Sequence, residues 1–563
     1  MLTFGRNSDT ISLRYFTRRI HRLGMKMKNT KHHIDKNLIA FIAFPAIIGV
    51  LSGVFIFAFK RASSYLMHVS ADIYGFVREN SAYLPLLLLG AAALGLVSAL
   101  ILKYAKECRG GGIPTAIASI RGLIPLQWVQ GVFALFFSSL ITYLVGVPLG
   151  NEGPSVQMGA AIGKGSSELL GNKKRAYERY LMTSGACSGF AIATGAPLSG
   201  IVFAMEELHR KSSVSLIIVA VVSILTGTVT ENLLSLWLNV NTSFLDLQIS
   251  NRLPVSSLWA ALVIGVACGL LACCFIYLYK KIGSFSQKAL KGVPFTAKIV
   301  IIFVTVAILG FFVDGFTGSG HSLIEEIIHD HAVWYIVFAC LILRGVVMVA
   351  ANNEGVSGGL FVPTLAIGAM VAYLLSKSFV ALGLIGEEYF AILIIIGMSS
   401  FLSASMRTPI TATIFCVEAL CGFDNIIPII VGTITAYLVA ELSGECSFTD
   451  TVIEARAKSV HKDRVPAIVD AHVTVKAGSF AQGKELRELL LPPTLTVLSV
   501  DSTNSDAPRH AGTLHEGDVL HIHYQTYRAK DTMEILSHIF GEQENDERTK
   551  IHFGSEHHIV PLE

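Results

Sequence analysis

The chain has 563 residues, 52% of them apolar and only 15% charged, with a mean hydropathy of +0.58. A soluble chain carries about 25% charged residues, and this much apolar surface has nowhere to hide in soluble domains. A disordered chain, a nucleic-acid binder and an ordinary cytosolic protein are excluded, and 44 basic against 41 acidic residues leave a net charge of +3, too small a field to draw a polyanion.

Residues 1–36 carry nine Lys or Arg against two Asp, a net of +7, and positive flanks stay cytoplasmic. No short apolar stretch with a small-residue cleavage site precedes residue 37, so no cleaved signal peptide is expected. Charge-free apolar runs at 37–59, 81–102, 122–151, 212–230, 253–279, 355–376 and 425–440 are of a length to cross or enter a bilayer. Shorter runs between them are broken by Gly and Pro, which predicts discontinuous helices meeting at mid-membrane depth. The nine cysteines are scattered through apolar runs, without zinc or disulfide spacing. His321 and His331 lie near Glu325 and Glu326, again without metal-ligand spacing, so no metal, cofactor or enzymatic chemistry is expected.

From about residue 455 charges become frequent, and the runs 471–475, 495–500 and 519–523 alternate as strands do. The expected organisation is a basic segment (1–36), a membrane domain (37–455), a linker (456–464), a small α+β domain (465–541) and a polar tail (542–563). Both termini are expected in the cytoplasm.

The membrane part repeats itself. Gly150, Pro154, Gly159 and Ala160 stand in the spacing of Gly359, Pro363, Gly368 and Ala369, an offset of 209. Gly185, Pro197, Phe203 and Glu206 return as Gly397, Pro409, Phe415 and Glu418, an offset of 212. Two ordered coincidences at nearly one offset predict two related halves, of inverted topology, with a site where they meet.

In each copy a glycine stretch runs into Pro and then into a helical pattern. Pro suits the first turn of a helix, and a helix start presents unpaired N–H donors and about half a positive charge. Several such starts aimed at one point make an anion site that needs no Lys or Arg. The stretch Gly110, Gly111, Gly112, Ile113, Pro114 supplies a third entry. Glu152 sits inside the first repeated motif; ionised, it is itself an anion able to occupy the site, and protonation would release it. Glu206 and Glu207 end an apolar helix over 196–208, and being adjacent they point about 100° apart, so at most one faces a proton route.

The motifs Gly110–Pro114, Gly150–Pro154 and Gly359–Pro363, in this order, resemble the CLC family of chloride channels and chloride/proton antiporters, over residues 35–455. The resemblance implies an all-α polytopic fold of about eighteen tilted and partial helices, and a two-fold homodimer with one pore per subunit; the lack of targeting segments and the type of C-terminal tail lead us to expect the plasma or inner membrane of a prokaryote. It implies that Glu152 is the external gate, that Gly111, Gly112, Ile113, Gly153, Leu360, Phe361 and Phe448 line the anion path, and that Glu207 is an internal proton glutamate, which favours antiport over a passive channel. Three positions depart from the family pattern: Gly111 replaces a Ser, Phe448 a Tyr, and Asn151 an Arg or Lys. Weaker anion binding and looser coupling are expected, each lost hydrogen bond to a charged ligand being worth about 1.5–3 kcal/mol. Asn151 is also similar to the fluoride-exporting branch, which tends to have Met at the position of Gly111.

Residues 465–541 resemble the TrkA-type C-terminal domain, through Ser479–Leu486, Leu489–Pro492 and Leu514–Leu520. That implies a dimerising module that sometimes binds a small regulatory ligand; no glycine-rich phosphate loop points to ATP. A membrane-anchored sensor is the alternative of a different class.

Overall fold

The computed structural model describes residues 31–169, 177–210, 212–240, 244–245, 251–329, 332–461, 467–491, 495–502, 513–526, 529–543 and 550–553. Residues 1–30 of the basic segment, His331, and parts of the expected linker and tail lie outside them. To Val460 the described chain is helical: α1 (Lys31–Glu79), α2 (Leu84–Tyr104), α3 (Ile113–Ile120), α4 (Trp128–Val145), α5 (Glu152–Leu169), α6 (Glu178–Thr194), α7 (Pro197–Phe203), α8 (Val214–Leu238), α9 (Leu258–Ala289), α10 (Phe295–Phe312), α11 (His321–Ile328), α12 (Trp334–Glu354), α13 (Phe361–Ala381), α14 (Phe390–Met406), α15 (Pro409–Cys416), α16 (Ile426–Leu442) and α17 (Phe448–Val460). Among the described residues ten segments are long and apolar enough to cross a membrane, and the chain is a multi-pass membrane protein. By contrast α3, α7, α11 and α15 have seven or eight residues and are the expected partial helices.

The repeated glycines make the same contact twice. A Cβ on Gly159 would fall on the Gly185 carbonyl and one on Gly185 on the Gly159 carbonyl, which brings α5 and α6 backbone to backbone. Gly368 and Gly397 relate to each other in the same way across α13 and α14. Small residues allow this approach, and close packing is what holds helices together where lipid supplies no hydrophobic drive.

The halves meet through equivalent residues. Gly150 and Gly359 form an isolated antiparallel bridge, N–H to carbonyl at 2.8 Å one way and 2.6 Å the other. An antiparallel pairing of matched residues is what a two-fold relation requires. A second exchange is built from carboxylates. Glu206 accepts from the amides of Ile410 (3.0 Å) and Thr411 (2.6 Å) at the start of α15. Glu418 accepts from Leu198 and Ser199 (2.8 Å each) at the start of α7. Each half closes the other's short helix with an acceptor placed at its positive end.

The C-terminal part is an antiparallel sheet in the order β2-β3-β1-β4, of β1 (Ala467–Thr474), β2 (Leu495–Asp501), β3 (Val519–Thr526) and β4 (Lys550–Phe553). Val469, Ala471, Val473, Leu520, Ile522 and Tyr524 turn to a core shared with Leu536, Ile539 and Phe540 of α18 (Ala529–Phe540). Two boundaries differ from expectation. Helix α17 runs through residue 455 to Val460, and β4 pairs with β1 from within the supposed tail, because four strand residues are too few to show a period. The domain docks on the membrane part: Arg179 donates to the Leu490 carbonyl, Tyr180 to the Glu488 carbonyl, and Phe480 stacks edge-on against Tyr177 with centroids 4.7 Å apart.

Gly185→Val and Gly397→Val place a branched side chain where a carbonyl already sits. Each is expected to cost about 3 kcal/mol and to destroy the monodisperse peak in size-exclusion chromatography. Gly75→Ala, with open space around it, should leave that peak in place.

Candidate functional site

The three glycine entries converge. A Cβ on Gly153 would stand 2.6 Å from the Gly359 Cα and 2.9 Å from the Gly112 Cα. One strand of backbone from each motif therefore meets at a point where only glycine fits. Pro114, Pro154 and Pro363 follow in the first turns of α3, α5 and α13. The starts of α3 and α13, capped by Gly112 and Leu360, have no side-chain cap. Ile113 and Phe361 open these helices, both buried. The Phe361 ring stands edge-on to Phe190 (5.2 Å) and Phe415 (5.0 Å).

Glu152 opens α5 at this point and is completely buried. Among the described residues, neither carboxylate oxygen has a hydrogen-bond partner on another residue. Its Oε2 lies over Gly150, where any Cβ would collide with it and would also meet Val362 and Pro363 in the first turn of α13. The Tyr143 hydroxyl donates to the Gly150 carbonyl at 2.7 Å and fixes the turn before the acid. A buried acceptor without a donor costs free energy unless something charged or polar comes to it, or it takes up a proton.

Each departure from the family pattern has a local counterpart. A Cβ on Gly111 would press against Leu135 and the Gln157 Oε1. Gln157 of α5 is fully buried; its Oε1 accepts from the Gly112 N–H at 2.9 Å and its Nε2 donates to the Glu107 carbonyl at 3.1 Å. The Gly111 N–H donates to the Cys108 carbonyl at 3.1 Å. Both amides are thus committed within the protein, and the two glycines shape the cradle through their backbone. Gly110, at φ +56, holds a left-handed conformation with the Arg456 guanidinium packed directly on it. Asn151 donates to the Ser63 Oγ at 3.1 Å. Phe448 is fully buried at the start of α17, which packs on α3, with its ring against Phe275 (5.1 Å) and Tyr279 (5.0 Å).

The two adjacent glutamates do separate. They lie on a π-helical turn, Ala204–Leu208, mirrored by Val417–Cys421 around Glu418. Glu206 closes α15, whereas Glu207 is buried and its Oε1 accepts from the Thr449 Oγ1 at 3.0 Å. Thr449 follows Phe448, so Glu207 is bonded to the first turn of α17, the turn that Phe448 opens. The Arg121 guanidinium donates to the carbonyls of Glu207 (3.0 Å) and Leu208 (3.2 Å), with Asp450 at 3.7 Å. A cavity of about 30 Å³ beyond it is lined by Arg121, Arg179, His209 and Leu490, so the docked C-terminal domain reaches the neighbours of Glu207. Among the described residues, no group of three His, Cys, Asp or Glu is placed to hold a metal ion. Sequence reasoning passed over Gln157, Thr449 and Arg121. Gln157 stood inside the first motif as a polar residue on an otherwise apolar helix face, which was the one available signal.

A family model described as "Voltage gated chloride channel" matches residues 93–441. The H(+)/Cl(−) exchange transporter ClcA of Klebsiella pneumoniae (strain 342) is 25% identical over 424 residues, 75% of this chain and 89% of that protein. The ClcA of Salmonella typhimurium is 26% identical over 429 residues, 74% and 89% of the two chains. Among solved structures, a slow cyanobacterial Cl−/H+ antiporter superposes with a TM-score of 0.68 at 22% identity, covering 75% of this chain and 98% of its own. A CLC-type fluoride/proton antiporter superposes with a TM-score of 0.60 at 22% identity, covering 74% and 98%. These two show the same fold. With a matched model spanning more than half of its length, the chain belongs to the voltage gated chloride channel family.

Proposed function

We propose that this protein exchanges a small anion, chloride by default, for protons across the membrane. The observation that carries the reading is Glu152: a fully buried carboxylate, without a partner on another described residue, where three glycine entries meet. In its ionised form it occupies the electropositive point made by the helix starts. An incoming anion competes for that point. Protonation removes the charge of Glu152, so the anion wins and a proton moves with the side chain. Glu207 serves as the inner proton acceptor, held by Thr449 beside Phe448. The exchange activity named for the ClcA relatives supports this reading. A passive channel on the same fold has no use for a second buried carboxylate at 207.

The anion path then runs past Phe448, Ile113, Gly153, Leu360 and Phe361. No side-chain hydroxyl is available at positions 111 and 448, and the binding energy falls on backbone dipoles. The C-terminal domain is read as a TrkA-type module on the cytoplasmic side, in a homodimer, able to take a small regulatory ligand. Its support is the sheet-and-helix fold, the basic N-terminal segment that sets orientation, and docking beside the inner acid.

In proteoliposomes with simultaneous anion and pH recording, an imposed pH gradient should drive anions uphill. Glu152→Gln, which mimics the protonated acid, is expected to keep anion flux and lose proton movement; continued pumping would remove Glu152 from the mechanism. Glu207→Ala should likewise uncouple protons, and unchanged coupling would strike out that residue. Phe448→Tyr restores a donor at the start of α17, and calorimetric titration should show chloride binding about tenfold tighter.

A further inference from the structure

Lys60 of α1 and Glu231 of α8 form an ion pair at 3.0 Å, with side chains only 12% and 3% exposed. The Lys60 ammonium also donates to the Ile192 carbonyl of α6 at 2.8 Å. Charges at membrane depth are expensive to install, and well-packed apolar residues of similar volume would join these helices at least as well. Packing alone therefore gives a poor account of the pair.

Its surroundings lead to the gate. The Ser63 hydroxyl donates to the Lys60 carbonyl at 3.0 Å, and the Ser63 Oγ in turn accepts from the Asn151 Nδ2 at 3.1 Å. Asn151 is the residue before Glu152. The turn of α1 that carries the ammonium is thus tied to the backbone that carries the acid. The Lys60 ammonium lies within electrostatic range of the Glu152 carboxylate. From α4 the titratable neighbour is Tyr143, whose hydroxyl is occupied by the Gly150 carbonyl. The first turns of α3 (Ile113, Pro114, Thr115) and of α13 (Phe361, Val362, Pro363) carry no charged residue. His321 of α11 lies in the field of the same ammonium.

We infer that Lys60 is the positioning charge of the gate: it supplies, from outside the motif, the positive potential that Asn151 leaves out, and Glu231 anchors it and tempers its strength. The inference rests on the reading of Glu152 as a proton-titrated gate. The ammonium attracts the ionised carboxylate and equally the anion that replaces it. Losing Lys60 leaves Glu231 buried and negative, which repels both. Losing the Glu231 charge leaves Lys60 less compensated, which attracts both more strongly.

The two substitutions are therefore expected to act in opposite directions, whereas residues that merely hold helices together would both act as losses. The readout is the pH midpoint of anion efflux from proteoliposomes at symmetric pH. Lys60→Met should raise the midpoint by about one unit and Glu231→Gln should lower it, the size expected for a nearby charge. Lys60→Arg should keep the wild-type midpoint. The double variant Lys60→Met/Glu231→Gln leaves no orphaned charge to impair folding, and its midpoint should rise by less than that of Lys60→Met alone. In a Glu152→Gln background none of these changes should move the profile. Equal-sign shifts, an unmoved midpoint in the double variant, or shifts that persist in the Glu152→Gln background would overturn the inference. If Glu152→Gln alone still pumps protons, the gate reading falls and this inference with it. If that variant uncouples as expected while the Lys60 and Glu231 variants leave the midpoint alone, only this inference falls.

Discussion

A carboxylate set among helix starts in low-dielectric surroundings, with no side-chain hydrogen-bond partner among the described residues, is the constraint on which the rest of this membrane protein depends. An ionised acid in such a place costs several kcal/mol unless positive potential reaches it. Backbone dipoles supply that potential only at close range, within about a turn of the helix end. Bringing three helix starts that close forces the chain to touch itself, backbone against backbone, at Gly112, Gly153 and Gly359. The glycines are thus a geometric consequence of the acid's electrostatics. Gly150 is the plainest case, because the space a side chain would need there is taken by the Glu152 carboxylate itself.

The same economy runs through the fold. Equivalent glycines let α5 lie on α6 and α13 on α14, and equivalent glutamates close α7 and α15 from opposite halves. The π-helical turn at Ala204–Leu208 has a specific task in this scheme. It separates two neighbouring acids, one toward the other half and one into the interior. Arg121 holds the end of that turn by bonding its carbonyls.

Much of this was legible in the amino-acid sequence. The repeat was visible because the backbone contact at each glycine tolerates nothing larger, so residue identity records geometry directly. Glu152 was visible because it interrupts an apolar motif. Three spans escaped the list of charge-free runs for identifiable reasons. Lys298 in α10 pairs with Glu354 at 3.2 Å. Arg344 in α12 donates to the carbonyls of Gly315, Phe316, Thr317 and Gly318, so a membrane helix accommodates a cation without a carboxylate. The charge-free run of α14 is closed by Glu388 and Arg407, and the helix lies in the protein interior. The Gln157 bond to Gly112, the Thr449 bond to Glu207 and the tie from Asn151 to α1 were not legible. Each joins residues tens of positions or more apart, and no local period encodes such a contact.

The crossed closure of α7 and α15 has a consequence for how this architecture assembles. Neither half can terminate its own short helix; the acceptor always arrives from across the pseudo-axis. A lone half would therefore be incomplete in the bilayer, yet two copies inserted in opposite orientations would complete each other. The joined chain supplies both acceptors within one polypeptide, so folding of either half waits on the other.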